Sequence, residues 1–149
     1  MKLLIAVDRS DVSDKVIAMT IAITRPETAK VLLLNVAPRQ NDFLGQQMRR
    51  KPVTDAVAEG LDDHRDLLDR HAATLEAAGI DCETLLIRGH PGATVNRESK
   101  RWGADLIVMG SHGRGMLYRK FVGSVSEEVL TERLCPVLIV PGKKDPALG

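Results

Sequence analysis

The sequence predicts an α/β fold built on an open parallel five-stranded sheet with helices on both faces, and three observations carry that expectation. Five short, mostly aliphatic runs, Leu3 to Val7, Lys30 to Val36, Asp81 to Ile87, Ala104 to Met109 and Pro136 to Val140, are bounded by turn-like residues and read as buried strands. Segments with apolar residues at helical spacing separate these runs, so strand and helix alternate along the chain. At 149 residues with 44% hydrophobic content, the chain can bury a sizeable core but leaves no room for a second domain. One domain over residues 1–149 is expected, with its core ending near residue 142 and a short tail over 143–149.

Each element has its own justification. After the first strand, Val12, Val16, Met19, Thr20 and Ile23 recur at helical spacing, and Ser10 or Asp11 is a candidate N-cap. Beyond the second strand, Val57, Leu61, Leu68, Ala72 and Leu75 repeat at intervals of four and seven from Val53 until Gly79, which suits a helix C-terminus. A third, more polar helix runs from Pro91 to Trp102 with Val95 and Trp102 seven residues apart, and a fourth from Ser124 to Leu134. The connection containing Arg49, Arg50 and Lys51 reads as a solvated loop.

Composition excludes several classes of function. Lys plus Arg total 21 against 20 Asp plus Glu, a formal charge of +1, so no global electrostatic drive toward nucleic acid or membrane lipid exists. Cys82 and Cys135 have neither C-x-x-C nor metal-ligand spacing and read as buried free thiols. The start, KLLIAVD, lacks the pattern of a signal peptide, and no apolar run approaches membrane-spanning length, so a cytoplasmic protein is expected. His64 falls on the apolar stripe of the second helix with His71 beyond it, and His90 has no acidic partner by spacing. No metal site is expected among the histidines.

The segment from Gly110 to Ser124 reads G-x2-G-x9-G-S and follows the fourth strand. Gly110, Gly113 and Gly123 lack Cβ atoms, which lets backbone N–H groups approach an anion, and Ser124 then opens a helix whose N-terminus favours negative charge. The fourteen residues from Gly110 to Gly123 exceed the usual loop length of about 4 to 6, a property of functional loops. Neither better-known phosphate motif fits. No G-x-x-x-x-G-K-[ST] occurs, and Gly113-Arg114-Gly115 meets Tyr118 where a dinucleotide fingerprint needs its third glycine. The alternatives stay open: Ser124-Val125-Ser126-Glu127 is also a capping box, and Arg114, Arg119 and Lys120 serve equally as phosphate partners or solvated charges.

The stretches ADLIVMGSHGRGMLYRKFVGSVSEEVL and CPVLIVP, with LLIAVDRS near the start, VLLLNVAP after the first helix and RGHPGATV before the third, resemble the nucleotide-binding branch of the universal stress protein family. The resemblance covers nearly the whole chain and is weakest over residues 39–51. It implies the strand order 3-2-1-4-5 of a Rossmann-like, adenine nucleotide alpha hydrolase type fold. It further implies an ATP-binding regulatory module of the stress response, with ATP and Mg²⁺ as cofactor, in which Ala6, Asp8, Val36, Met109, Gly110, His112, Gly113, Arg114, Gly123, Ser124 and Val125 line the nucleotide site. Asp8 would meet the nucleoside, its own alternative being a turn or a cap. Arg9 stands where many relatives carry a small residue. A homodimer through the strand Pro136 to Val140 is implied as well. The competing expectations are slow ATP hydrolysis or phosphotransfer in the same crevice, with His112, Asp8 or Ser126 as candidate groups, and a nucleotide-free dimeric scaffold.

Overall fold

The computed structural model describes residues 1–39, 53–111, 124–132 and 134–142, with backbone alone at 53–60 and 124. The elements run β1 (Lys2–Ala6), α1 (Val12–Ile23), β2 (Lys30–Ala37), α2 (Val53–Ala77), β3 (Asp81–Arg88), α3 (Pro91–Trp102), β4 (Leu106–Gly110), α4 (Ser124–Glu132) and β5 (Val137–Val140). All pairings are parallel and the sheet order is β3-β2-β1-β4-β5, as the resemblance implied. The Arg49-Arg50-Lys51 connection lies outside the described residues.

Handedness accounts for the layering. From β1 the chain steps outward to β2 and then β3, and right-handed crossovers place α1 and α2 on one face of the sheet. It then returns past β1 to β4 and steps the other way to β5, so α3 and α4 cover the opposite face. Alternate side chains of each strand serve the two layers. Leu3, Ile5, Val31 and Leu33 pack with Val16, Ile17, Leu68 and Leu75 beneath α1 and α2. Leu4, Leu32, Leu34, Ile107 and Met109 pack with Val95 and Val129 beneath α3 and α4, and Trp102 closes the edge of that cluster.

Element ends differ from the sequence expectation for local reasons. The fourth strand begins at Leu106 rather than Ala104, because Gly103, at φ 73°, and Ala104 both donate their N–H groups to the Ser99 carbonyl and complete the end of α3. Asp105 is then anchored to Lys2 by reciprocal bonds of 2.8 Å, the Asp105 N–H to the Lys2 carbonyl and the Lys2 N–H to Asp105 Oδ2. The second and third strands each run one residue further than expected because Ala37 and Arg88 still pair. Neither Ser10 nor Asp11 caps α1 through its side chain. Ser10 is occupied by Asp8 instead.

Cys82 and Cys135 are free, as expected, but only half-buried. Cys82 lies on β3, an edge strand that its single neighbour covers incompletely. Burial, reinforced by Glu76, Asp81 and Glu83, pushes its thiol up to about 11.

Leu33 on β2 is fully buried between sheet neighbours and the α1/α2 layer. Leu33→Ala is expected to lower stability by about 2 to 5 kcal/mol, read as a shift in the urea unfolding midpoint with an unchanged slope.

Candidate functional site

The strand order reverses between β1 and β4, and this sets the geometry of a crevice. At the carboxyl ends of these neighbours one chain segment departs toward α1 on one face, and the other leads toward α4 on the opposite face. Ala6 is in register with Met109 on one side and Leu34 on the other. Ala6, Val36 and Val125 are half-buried against the α3/α4 layer, whereas Met109 is part of that layer's core. Gly110 ends β4 opposite Val140.

Asp8 lies two residues past the end of β1 and organises the turn into α1. Its Oδ1 accepts from the Ser10 N–H at 2.9 Å and from the Ser10 hydroxyl. The Asp8 N–H donates to Ser13 Oγ at 2.9 Å, and that hydroxyl lies 3.0 Å from the Asp8 carbonyl and 3.2 Å from Oδ1. The turn-forming alternative is therefore realised in this structure. Every one of these bonds to the carboxylate falls on Oδ1.

The glycine segment is held at both of its described ends. The Ser111 N–H donates to the Val140 carbonyl at 2.9 Å and the Gly142 N–H to Ser111 Oγ at 3.3 Å, tying the start of the segment to β5. At the other end the Ser126 hydroxyl, 1% exposed, donates to the Gly110 carbonyl at 3.0 Å. This clasp joins the first turn of α4 to the end of β4. Ser126 was a candidate reactive group in the sequence; its hydroxyl proton is committed to Gly110. His112, Gly113, Arg114 and Gly123 lie outside the described residues, as do Arg119 and Lys120, and Ser124 is described only as the first residue of α4. The Ser124 side chain of the expected capping box lies outside the described residues.

A second polar group lies across the sheet, on the α2 side. Asn35, 1% exposed on β2, donates through Nδ2 to the Val7 carbonyl at 2.7 Å, and its Oδ1 meets His64 Nδ1 at 2.5 Å. Arg9 pairs with Asp63 at 3.5 Å. Burial first, then the nearby Arg9, lowers the His64 pKa from 6.5. The apolar-stripe reading of His64 thus missed a polar partner, Asn35, which no local spacing reveals because it comes from another element. His71, 2% exposed, lies 3.9 Å from Asp14 through Nδ1, and its Nε2 has no hydrogen-bond partner among the described residues. Burial, with Arg70 adding to it, lowers its pKa as well.

On the other face, His90 does have an acidic partner, contrary to the sequence expectation: Glu128 on α4 lies 3.4 Å from its Nδ1. Among the described residues, no group of three or more His, Cys, Asp or Glu side chains is arranged to hold a metal ion. No helix among them is long and apolar enough to cross a membrane.

An open parallel sheet with a crevice at its switch point, flanked by an acidic turn and a clasped glycine segment, defines the class of protein. The sequence pattern of the Universal stress protein family matches residues 1–141, and the chain belongs to that family. It is 28% identical over 148 residues to Universal stress protein Sll1388 of a Synechocystis species, covering 93% of this chain and 96% of the relative. The solved structure of MJ0577, a universal stress protein of Methanocaldococcus jannaschii, superposes with a TM-score of 0.83 at 23% identity, covering 97% of each chain. A universal stress protein family structure from Arabidopsis thaliana, with AMP bound, has a TM-score of 0.65 at 25% identity, covering 98% of this chain and 94% of the other.

The two lowered histidines set a pH dependence of stability. Folding holds His64 and His71 neutral below their ordinary 6.5, so the unfolded chain takes up protons first as the pH falls. Their stabilising contribution is complete above about 6.5 and is lost as the pH descends below it. The urea midpoint is expected to drop between pH 7 and 5.5, and His71→Leu to make that drop shallower.

Proposed function

We propose that the chain is an ATP-binding universal stress protein that acts as a nucleotide-dependent regulatory module in the stress response. The observation that carries this reading is the clasped glycine segment: Ser111 and Ser126 hold its two ends beside the crevice between β1 and β4. The AMP bound by the Arabidopsis relative supports an adenine nucleotide as the ligand class.

In this reading the base lies among Ala6, Val36, Met109 and Val125, where the described side chains are apolar. Asp8 accepts from the ribose through Oδ2 while Oδ1 keeps the turn. Gly110, His112, Gly113, Arg114, Gly123 and Ser124 offer backbone N–H groups or charge to the phosphates. Mg²⁺ would be held chiefly by the triphosphate oxygens, since this cation is commonly bound by few protein ligands plus phosphate oxygens.

The nucleotide serves as a signal rather than a substrate. Rapid hydrolysis needs a positioned base, and of the three candidate groups Ser126 is engaged by Gly110 and Asp8 Oδ1 by its own turn, while His112 lies outside the described residues. The protein is proposed to be a single cytoplasmic domain that pairs as a homodimer through β5, whose outer edge has no neighbouring strand among the described residues. Pro136 and Pro141 limit the length of that pairing.

Isothermal titration calorimetry with ATP, ADP and AMP tests the assignment. Gly113→Val and Gly123→Val are expected to weaken ATP binding by about tenfold or more, the scale of losing a hydrogen bond to a charged group, with the circular-dichroism spectrum unchanged. Wild-type affinity in both variants would return the segment to a plain connector. Turnover is expected to stay well below about 1 s⁻¹, and a rate at or above that value would make the protein an enzyme.

A further inference from the structure

We infer that the outer edge of β3, with the face of α2 beside it, is a docking site for an extended peptide segment of a partner protein that carries an acidic side chain next to apolar ones. This surface lies at the opposite end of the sheet from β5 and is independent of the nucleotide reading.

β3 is the longer of the two sheet edges. It pairs with β2 through all eight residues from Asp81 to Arg88, and its other side has no neighbouring strand among the described residues. Main-chain N–H and C=O groups on that side form a template for one more strand. The two halves of β3 differ. Asp81 and Glu83 expose charge in the first half, a pattern that discourages indiscriminate pairing. The second half carries Leu85-Leu86-Ile87, an unbroken apolar run of the kind found in interior strands, yet all three side chains are only half-buried. Leu86 packs toward the α1/α2 layer, and Leu85 and Ile87 pack toward the α3/α4 layer. Apolar surface is therefore left on both faces of this edge, where an added strand would cover it.

On the α2 side the edge borders a groove of about 470 Å³, room for several side chains rather than a single water. Thr84 and Leu86 line it from β3, Leu61 and Leu68 line it from α2, and Arg65 and Arg88 outnumber one acid, Asp69. A groove between an edge strand and a helix suits an extended peptide, whose main chain pairs with the edge while alternate side chains enter the groove. The lining sets the chemistry of those side chains. The leucines call for an aliphatic one, and Arg65, exposed and in no ion pair among the described residues, calls for a carboxylate. A second copy answers that demand poorly. Paired antiparallel through its own β3, it would present Cys82, Thr84, Leu86 and Arg88 on this face, a row without an acid.

The test titrates the isotope-labelled full chain with the synthetic peptide acetyl-Ser-Val-Asp-Val-Leu-Thr-Ser-amide, followed by amide resonances. In an extended strand its Asp and Leu share one face and its valines the other. Saturable shifts are expected along Thr84 to Arg88 and from Leu61 to Asp69 on α2, with Val137 to Val140 unmoved. Arg65→Glu, at an exposed helical position and with folding checked by circular dichroism, is expected to weaken binding by about tenfold, the scale of losing a hydrogen bond to a charged group. The same peptide N-methylated at its three central residues cannot donate to the edge and is expected not to bind. No saturable shift up to about 1 mM peptide overturns the inference. So does undiminished affinity in Arg65→Glu, or equal binding of the N-methylated peptide. Shifts of Thr84 to Arg88 that follow protein concentration with no peptide present would give the edge to a second copy and overturn it as well.

Discussion

The structure depends on β1 being bonded on both sides. It pairs with β2 along one edge and β4 along the other, and Leu3, Leu4 and Ile5 are fully buried between the two helical layers. A strand covered on four sides has to be short and aliphatic, as this one is. The same central position makes β1 the point from which the chain winds outward in both directions. Because each parallel crossover takes the right-handed path, the two windings cover opposite faces and their loops separate at the end of β1. The crevice is a consequence of strand order and handedness before any side chain contributes to it.

Polar groups gather where the sheet stops supplying backbone partners. At the end of β1 the Asp8 carboxylate, the Ser13 hydroxyl and the Asn35 amide satisfy main-chain groups where the strand pairing stops. At the end of β4, Ser126 does the same for Gly110. These residues hold the described rims of the crevice in place. The fixed rims and the bonded turn are one arrangement, since loosening either exposes an unpaired buried group.

The two helical layers are not equivalent. Beneath α1 and α2, Asn35 and His71 are buried, Asn35 reaches the half-buried His64, and Arg9 pairs with Asp63. Beneath α3 and α4, the contact is steric as well as ionic: Gly92, at the start of α3, leaves room for the Glu128 side chain, which a Cβ would strike, and Asn96 reaches the Glu128 carbonyl at 3.5 Å. RGHPGATV served in the sequence as a family landmark, and Gly92 within it is required by a residue on a later helix. Spacing along the chain cannot disclose that requirement.

The sequence by itself determined the number and type of elements, their alternation and most of their limits, because strand burial and helix amphipathicity are local patterns with periods of about two and 3.6 residues. The glycine segment was legible for the same reason, as a run of fixed spacing after an aliphatic strand. Strand order entered through family resemblance rather than periodicity, since both directions of winding give the same alternation. Only the tertiary structure decided that Asp8 engages Ser10 and Ser13, that Ser126 clasps Gly110, that His90 meets Glu128 and that Asn35 joins His64 to Val7. Most of these partners are distant in the chain and brought together by packing, and a hydrogen bond between elements leaves no periodic trace in either one.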